Sequence, residues 1–369
     1  MSTTSSISAP AADLSGADTG LAGVPVTDVS LKRRDFASDQ EVRWCPGCGD
    51  YSILSTFQGM LPKLGIKKEN AVVISGIGCS SRFPYYMNTY GMHTIHGRAP
   101  AIATGLAVSR PDLAVFVMTG DGDALSIGGN HLIHAMRRNA NLTILMFNNQ
   151  IYGLTKGQYS PTSEAGSVTK SSPMGSVDYP FNPLSVALGA GCSFVARALD
   201  SDRKGLDETL TTAAHHRGTS FVEIYQNCPI FNDGAFDGYK GPEAAERIVR
   251  LVDGEPILLG ADRSKGVVRD PVNGSLTVTE VAQVGMDHVV VHDATRPDPS
   301  LAFELAHLHD SGQISQIPLG ILRSVSLPTY DDMVRDQLRL AGGSADDKPA
   351  RDAALQQLLR GNDTWQVHN

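Results

Sequence analysis

Four apolar runs constrain the fold of this chain more than any other feature. They are Ala71-Val72-Val73-Ile74, Leu113-Ala114-Val115-Phe116-Val117-Met118, Leu142-Thr143-Ile144-Leu145-Met146-Phe147 and Ser220-Phe221-Val222-Glu223-Ile224. Each is followed by glycine or a polar turn. Apolar runs of this length, bounded by turn signals, are what strands covered on both faces look like. Helical patterns lie between them, over roughly 50–62, 98–109, 126–138, 183–189 and 203–217. Strand and helix in alternation predict an α/β fold: a doubly wound, mostly parallel sheet with helices on both faces. Ligands in such sheets bind beyond the carboxyl ends of the strands.

The 369 residues allow one large domain or two smaller ones, and 41% hydrophobic content is enough for a sizeable core. A net charge of −8 gives no reason to expect nucleic-acid binding. No apolar run reaches the roughly 20 residues needed to span a bilayer. The stretch to about Thr27 is rich in Ser, Thr, Ala and Gly and has no Lys or Arg, so it reads neither as a secretory signal nor as a mitochondrial presequence. We expect a disordered tail over 1–37, a main domain over 38–240 and a cytoplasmic location. Residues 241–340 are expected to form a C-terminal extension of small antiparallel strands around Ile257-Leu258-Leu259, Gly266-Val267-Val268 and Leu276-Thr277-Val278-Thr279, with Asn273-Gly274 as a tight turn. Residues 341–369 are expected to be a polar, partly flexible tail, with a linker over 342–352. The Gly-, Ser-, Thr- and Pro-rich loop at roughly 150–180 is long enough to be functional or disordered.

Gly120-Asp121-Gly122 ends the second apolar run, and Asn148-Asn149 ends the third. Neighbouring parallel strands would bring these ends together. Asp121 offers a carboxylate and Asn149 a neutral oxygen, both hard ligands suited to Mg²⁺. The Ile151 carbonyl would complete the protein's share, with diphosphate oxygens and water filling the octahedron. Gly122 and Gly153 would let backbone N–H groups come close to phosphate. The pattern points to a diphosphate cofactor of the thiamine type, held through a divalent cation. By itself a GDG is a common strand-to-helix turn, and the spacing to Asn149 is what makes it specific.

Four of the five cysteines flank these marks. Cys45 and Cys48 share one turn in Trp44-Cys45-Pro46-Gly47-Cys48-Gly49. Cys79 lies in Gly76-Ile77-Gly78-Cys79-Ser80, and Cys228 in Asn227-Cys228-Pro229. Four thiolates suit either zinc or a cubane iron–sulfur cluster. A zinc ribbon usually has two paired CxxC units, and here there is one. Cys79 sits at the ligand edge of the expected sheet, which favours a redox centre. Cys192 opens a separate apolar run and reads as core.

The segments WCPGCGD, GIGCSSRFPYY, HTIHGRAPAIATG, GDGDALSIGGNHLIHAMRRN, LMFNNQIYGLTKGQYSPTS and NCP resemble the β subunits of 2-oxoacid:ferredoxin oxidoreductases, above all those of the 2-oxoglutarate enzymes. The resemblance covers roughly residues 41–235. It implies the pyrophosphate-domain fold with thiamine diphosphate, Mg²⁺ and one 4Fe–4S cluster. It implies cluster ligands at Cys45, Cys48, Cys79 and Cys228, and metal ligands at Asp121, Asn149 and Ile151. Cofactor contacts are implied along the matching segments at Ile77, Gly78, Cys79, Ser80, His96, Gly120, Gly122, Asp123, Gly153 and Leu154. It further implies an α subunit that completes the active site in an α2β2 assembly, CoA as cosubstrate and ferredoxin as electron acceptor. The N-terminal segment is long for the family, and no CxxCxxC run suggests a second cluster.

His96, beside Gly97-Arg98, is a candidate for contact with cofactor or substrate. Arg82 and Lys156 are candidates for gripping the carboxylates of a 2-oxoacid. The alternatives are the same chemistry on pyruvate or another 2-oxoacid, a non-redox thiamine-dependent decarboxylase subunit, and a zinc-stabilised scaffold.

Overall fold

The computed structural model describes residues 19–308, 316–342, 348–365 and 367. The four apolar runs form the middle of an eight-stranded sheet. Its strands begin with β1 (Ala71–Ser75), β2 (Tyr90–His93), β3 (Ala114–Gly120), β4 (Leu142–Asn148), β5 (Phe194–Leu199) and β6 (Thr219–Tyr225). β7 (Ile248–Arg250) follows. β8 (Leu258–Leu259), β9 (Lys265–Arg269) and β10 (Leu276–Glu280) make a separate three-stranded antiparallel sheet, and β11 (Ile317–Ser324) returns to the first. The large sheet runs β2-β1-β3-β4-β6-β5-β11-β7. All its neighbours are parallel except β11 against β5.

Residues alternate between two cores because successive strand side chains point to opposite faces. Val72, Ile74, Val115 and Val117 face one core with Ala103, Leu132 and Leu184. These come from α2 (Ala99–Ser109), α4 (Gly129–Arg138) and α5 (Pro183–Gly189), with the short α3 (Asp121–Leu125) ahead of α4. Ala71, Val73, Phe116 and Met118 face the other core with Ile53, Phe57, Leu206 and Leu210. Those come from α1 (Asp50–Met60) and α6 (Arg203–His215). Helices on both faces of a mostly parallel sheet make the fold doubly wound, as the alternation of the sequence implies.

Three expectations need correction. The disordered tail cannot extend to residue 37. Val24 and Phe36 are buried in the second core, Val26 bridges to Ile66, and Arg33–Phe36 forms a 3-10 turn. Apolar residues spaced through this stretch give it a face to pack, which its Ser/Gly-rich composition hides. Residues 1–18 of that tail lie outside the described residues. Asn273-Gly274 is not a two-residue turn, because β9 ends at Arg269 and β10 begins at Leu276. Asp270 Oδ1 accepts from the N–H groups of Val272 (2.7 Å) and Asn273 (3.2 Å), closing a wider Asx loop. The expected linker over 342–352 contains helix from Lys348 onward, part of Lys348–Arg360, while 343–347 lie outside the described residues.

The segment beyond 240 also supplies β11 and β7 to the large sheet, which its short apolar runs did not suggest. β5 escaped notice because Arg197 interrupts it. That guanidinium is buried against Glu223 of β6 at 2.7 Å, so a charged residue occupies a core position.

His216, just after α6, places Nε2 2.8 Å from Ser193 Oγ. Burial pushes its pKa down to about 4 from 6.5. The unfolded chain therefore binds a proton at a pH where the folded chain does not. This contribution to stability is complete above pH 6.5 and is lost as pH falls toward 4, by at most about 1.4 kcal/mol per pH unit. His216→Gln is expected to flatten the acid side of a melting-temperature–pH profile over that window. An unchanged slope would assign the acid lability to other groups.

Candidate functional site

β1, β3, β4 and β6 are adjacent and parallel, so their carboxyl ends line up. Gly120 pairs with Phe147, and Asn148 with Tyr225. The residues that leave these strands therefore meet at one edge: Gly76 to Ser80, Asp121 to Asp123, Asn149 to Leu154, and Gln226. All of these except Gly76 and Gln150 line a cavity of about 240 Å³. Ile77, Gly78, Cys79, Ser80 and His96 line one part of it. Gly120, Asp121, Gly122, Asp123, Asn149, Ile151, Gly153 and Leu154 line the rest. The sheet order thus gathers every residue expected to touch the cofactor.

Asp121 starts α3 and is buried. Its Oδ2 accepts from Ser160 Oγ at 2.5 Å and Thr162 Oγ1 at 2.7 Å. Burial pushes the carboxyl up to about 6, and these two hydroxyls offset part of that. Both hydroxyls converge on one oxygen, which leaves Oδ1 as the freer donor for a metal. Asn149 is held at both ends of its amide: Nδ2 donates to Gln226 Oε1 at 2.9 Å, and Oδ1 accepts from the Ile151 N–H at 3.2 Å.

Asp123 has a different role from a cofactor contact alone. Its Oδ1 accepts from the N–H groups of Ile77 (3.1 Å) and Gly97 (2.7 Å), and its Oδ2 from Thr119 Oγ1 (2.7 Å). One carboxylate thus ties the cysteine-bearing turn and the His96 loop to the end of β3. Gly76 is obligatory beside it, since a Cβ there would lie 1.9 Å from Asp123 Oδ2. A Cβ on Gly122 would lie 2.1 Å from the Tyr152 ring, whose hydroxyl donates to the Gly122 carbonyl. Among the described residues, buried Ser80 Oγ has no hydrogen-bond partner. An unsatisfied hydroxyl at the rim of a strand-end cavity suits a polar ligand such as a diphosphate.

Two contacts assemble the cysteine segments. Trp44 Nε1 donates to the Cys79 carbonyl at 2.8 Å. The Gly49 N–H donates to the Asn227 carbonyl at 3.1 Å. A Cβ at Gly153 would lie 3.6 Å from Cys228 Sγ and 3.8 Å from Cys79 Sγ, so the metal-segment turn passes directly beside two thiols. Burial, then the charge of Asp50, pushes the Cys79 thiol up to about 11 and the Cys48 thiol further still. Bare thiols so placed are protonated, and a cationic metal centre would reverse that. Among the described residues, no group of three or more His, Cys, Asp or Glu side chains is placed to hold a metal ion. Asn149 and the Ile151 carbonyl fall outside those residue types. A cubane, reached at four separate iron corners, asks its ligands to stand further apart than a single ion does.

Cys45, Cys48 and Cys228 approach the site without lining the cavity. Cys192 is buried and donates to the carbonyls of Phe194 and Thr219. Arg82 and Lys156 do not line the cavity either. Arg82 Nη1 donates to the Arg43 carbonyl at 2.5 Å. Burial pushes the Asp50 carboxyl up to about 7 and the Cys79 thiol up to about 11, and the Arg82 charge offsets a small part of each. Lys156 has φ +80° and borders a neighbouring cavity of about 650 Å³. Sequence reasoning missed Ser160, Thr162, Gln226 and Asp50. The first two were visible only as hydroxyls in a long loop. Asp50 lies in the helix-starting GCGD string and lines the cavity, buried beside the Cys48 thiol.

The fold is a doubly wound α/β domain of the thiamine-diphosphate-binding type. The family described as thiamine pyrophosphate enzyme, C-terminal TPP binding domain, matches residues 76–224. The chain is similar to the 2-oxoglutarate oxidoreductase subunit KorB of Mycobacterium tuberculosis, with 60% identity over 96% of this chain and 95% of that one. It is 45% identical to a 2-oxoacid:ferredoxin oxidoreductase subunit beta from Sulfolobus sp., over 52% of this chain and 63% of that one. Among solved structures it resembles a chain of the 2-oxoglutarate:ferredoxin oxidoreductase from Magnetococcus marinus, solved with 2-oxoglutarate, coenzyme A and succinyl-CoA bound. The TM-score is 0.71 and the identity 34%, over 90% of this chain and 99% of that one. The chain belongs to the β subunits of the 2-oxoacid:ferredoxin oxidoreductases. Among the described residues no helix is long and apolar enough to cross a membrane.

Proposed function

We propose that this chain is the β subunit of a CoA-dependent 2-oxoglutarate:ferredoxin oxidoreductase. With its α subunit it converts 2-oxoglutarate, CoA and two oxidised ferredoxins into succinyl-CoA, CO₂ and two reduced ferredoxins, with release of a proton. The observation that carries this reading is a single strand-end cavity bordered by Asp121 and Asn149 and also by Cys79. An electron-rich centre formed there would lie beside the Cys79 sulfur.

Thiamine diphosphate, when bound, supplies the electron sink for decarboxylation. Asp121, Asn149 and the Ile151 carbonyl would hold its Mg²⁺, with Ser160 and Thr162 fixing the Asp121 carboxylate. Gly120, Gly122 and Gly153 allow the backbone to come near the diphosphate, and Ser80 offers it a free hydroxyl. Ile77, Gly78 and Leu154 form part of the cavity wall. His96 faces the same cavity and is the candidate for contact with the reacting group. Cys45, Cys48, Cys79 and Cys228 would carry a 4Fe–4S cluster, which takes electrons singly. An α2β2 assembly would close the open side of the cavity, and a reducing cytoplasm would keep the thiols available.

The test is anaerobic co-purification with the α subunit, followed by iron and sulfide analysis and CoA-dependent dye reduction with several 2-oxoacids. The reading expects a brown complex that turns over fastest on 2-oxoglutarate. A colourless, zinc-loaded complex would overturn it.

Arg82 and Lys156 are our candidates for the substrate carboxylates. Lys156 sits on the turn whose Gly153, Leu154 and Thr155 do line the cavity. Lys156→Ala is expected to raise KM for 2-oxoglutarate roughly tenfold, the scale of one charge-assisted hydrogen bond, and to affect pyruvate less. Equal effects on the two substrates would remove Lys156 from that role.

A further inference from the structure

Gln226 leaves β6 directly, two residues before Cys228. Its backbone N–H donates to the Asn148 carbonyl at 2.9 Å, and its side chain is buried to 1% exposure. The two ends of its amide go to different places. Oε1 accepts from Asn149 Nδ2 at 2.9 Å. Nε2 donates to Cys48 Sγ at 3.2 Å and to the Asn227 carbonyl at 2.5 Å. The surroundings fix this orientation. Turning the amide over would set Nε2 against the Asn149 NH₂ and Oε1 against a sulfur and a carbonyl oxygen. Turning Asn149 as well would cost its acceptance from the Ile151 N–H.

We propose that Gln226 is a positioning residue that joins the metal–diphosphate end of the cavity to the cysteine cluster. It holds the Asn149 amide by its nitrogen, so that Oδ1 stays turned to the metal segment. It also gives the Cys48 sulfur an N–H donor. The inference rests on the reading that Asn149 serves the Mg²⁺ and Cys48 the 4Fe–4S cluster. Outer partners that orient a metal ligand matter to metal affinity by roughly 10- to 100-fold. Hydrogen bonds to cluster sulfurs help set the reduction potential, and a donor favours the more electron-rich, reduced state. One side chain therefore acts on both cofactors. Its buried amide cannot reorient for one without losing the other.

The experiment uses the complete complex with the α subunit, in wild-type form and as Gln226→Met and Gln226→Glu. Three quantities are measured: iron and sulfide content, the cluster midpoint potential by a mediated titration followed by electron paramagnetic resonance, and the dissociation constant of thiamine diphosphate in the presence of Mg²⁺. Methionine fills the same space without a polar end. It should lower the midpoint potential and weaken cofactor binding roughly tenfold or more. Glutamate keeps an oxygen for Asn149 but no amide N–H for Cys48. It should bind the cofactor like wild type and still show a lowered potential. A residue that only filled space would not separate the two readouts. Unchanged potentials in variants with full cluster content would overturn the inference. A wild-type complex without iron and sulfide would overturn the proposed function on which it depends.

Discussion

Asp121→Ala is expected to reduce CoA-dependent dye reduction by the α-subunit complex at least about a thousandfold at ordinary cofactor concentrations. That corresponds to roughly 4 kcal/mol. Asp121 is the one carboxylate proposed to bind the cation of the diphosphate. Its side chain is buried and organised by Ser160 and Thr162, so alanine removes a charge and also leaves two hydroxyls facing an empty space. Isothermal titration with thiamine diphosphate and Mg²⁺ would locate the loss in binding. The iron content should stay at its wild-type level, because Asp121 touches none of the four cysteines. Wild-type cofactor affinity in this variant would sink the metal-site assignment.

Cys228→Ser is expected to have the complementary outcome. Iron and sulfide content should fall to background, the visible absorption should disappear and ferredoxin reduction should be abolished. Cys228 does not line the cofactor cavity, so thiamine diphosphate binding should change by no more than a few-fold. Cys192→Ala is the control. That thiol is buried in the first core, with Val72 and Ile74, while Cys48 and Cys79 pack against the second, and its loss should leave the cluster intact. A brown, iron-replete Cys228→Ser complex would remove Cys228 from the ligand set. Together the two variants divide the site into halves that fail separately.

Much of this site was legible in the sequence. The four apolar runs marked the central strands, and the strings that follow them marked the edge where ligands bind. GDG and NN stood out as a pair, because their spacing sets a carboxylate and an amide at the ends of neighbouring strands. The cysteine strings stood out because CPGC is rarely inert. Other parts were hidden for particular reasons. Arg197 masked β5, since its burial makes sense only once Glu223 of the neighbouring strand is known. Ser160 and Thr162 lie in a loop where hydroxyls are common and carry no signal. Gln226 precedes a conspicuous cysteine and has no local pattern of its own. Val24 and Phe36 were lost in a segment whose composition looks disordered.

The sequence by itself determined the doubly wound class, the strand ends that carry chemistry, and the residue types offered for a metal, a diphosphate and a cluster. Those features depend on periodicity and turn chemistry, which act over a few residues. Which of the offered groups meet follows from the order of the strands and the closure of the loops between them. The sheet order sets β1, β3, β4 and β6 side by side, and loop closure then brings Ser160 to Asp121 across 39 positions and Gln226 to Cys48 across 178. Contacts at such separations are set by how strands are ordered and how burial forces polar groups to find partners. No local pattern encodes that. The structure accordingly turned a row of motifs into one cavity, assigned Asp123 to tying loops together, and put the buried Gln226 amide between Asn149 and Cys48.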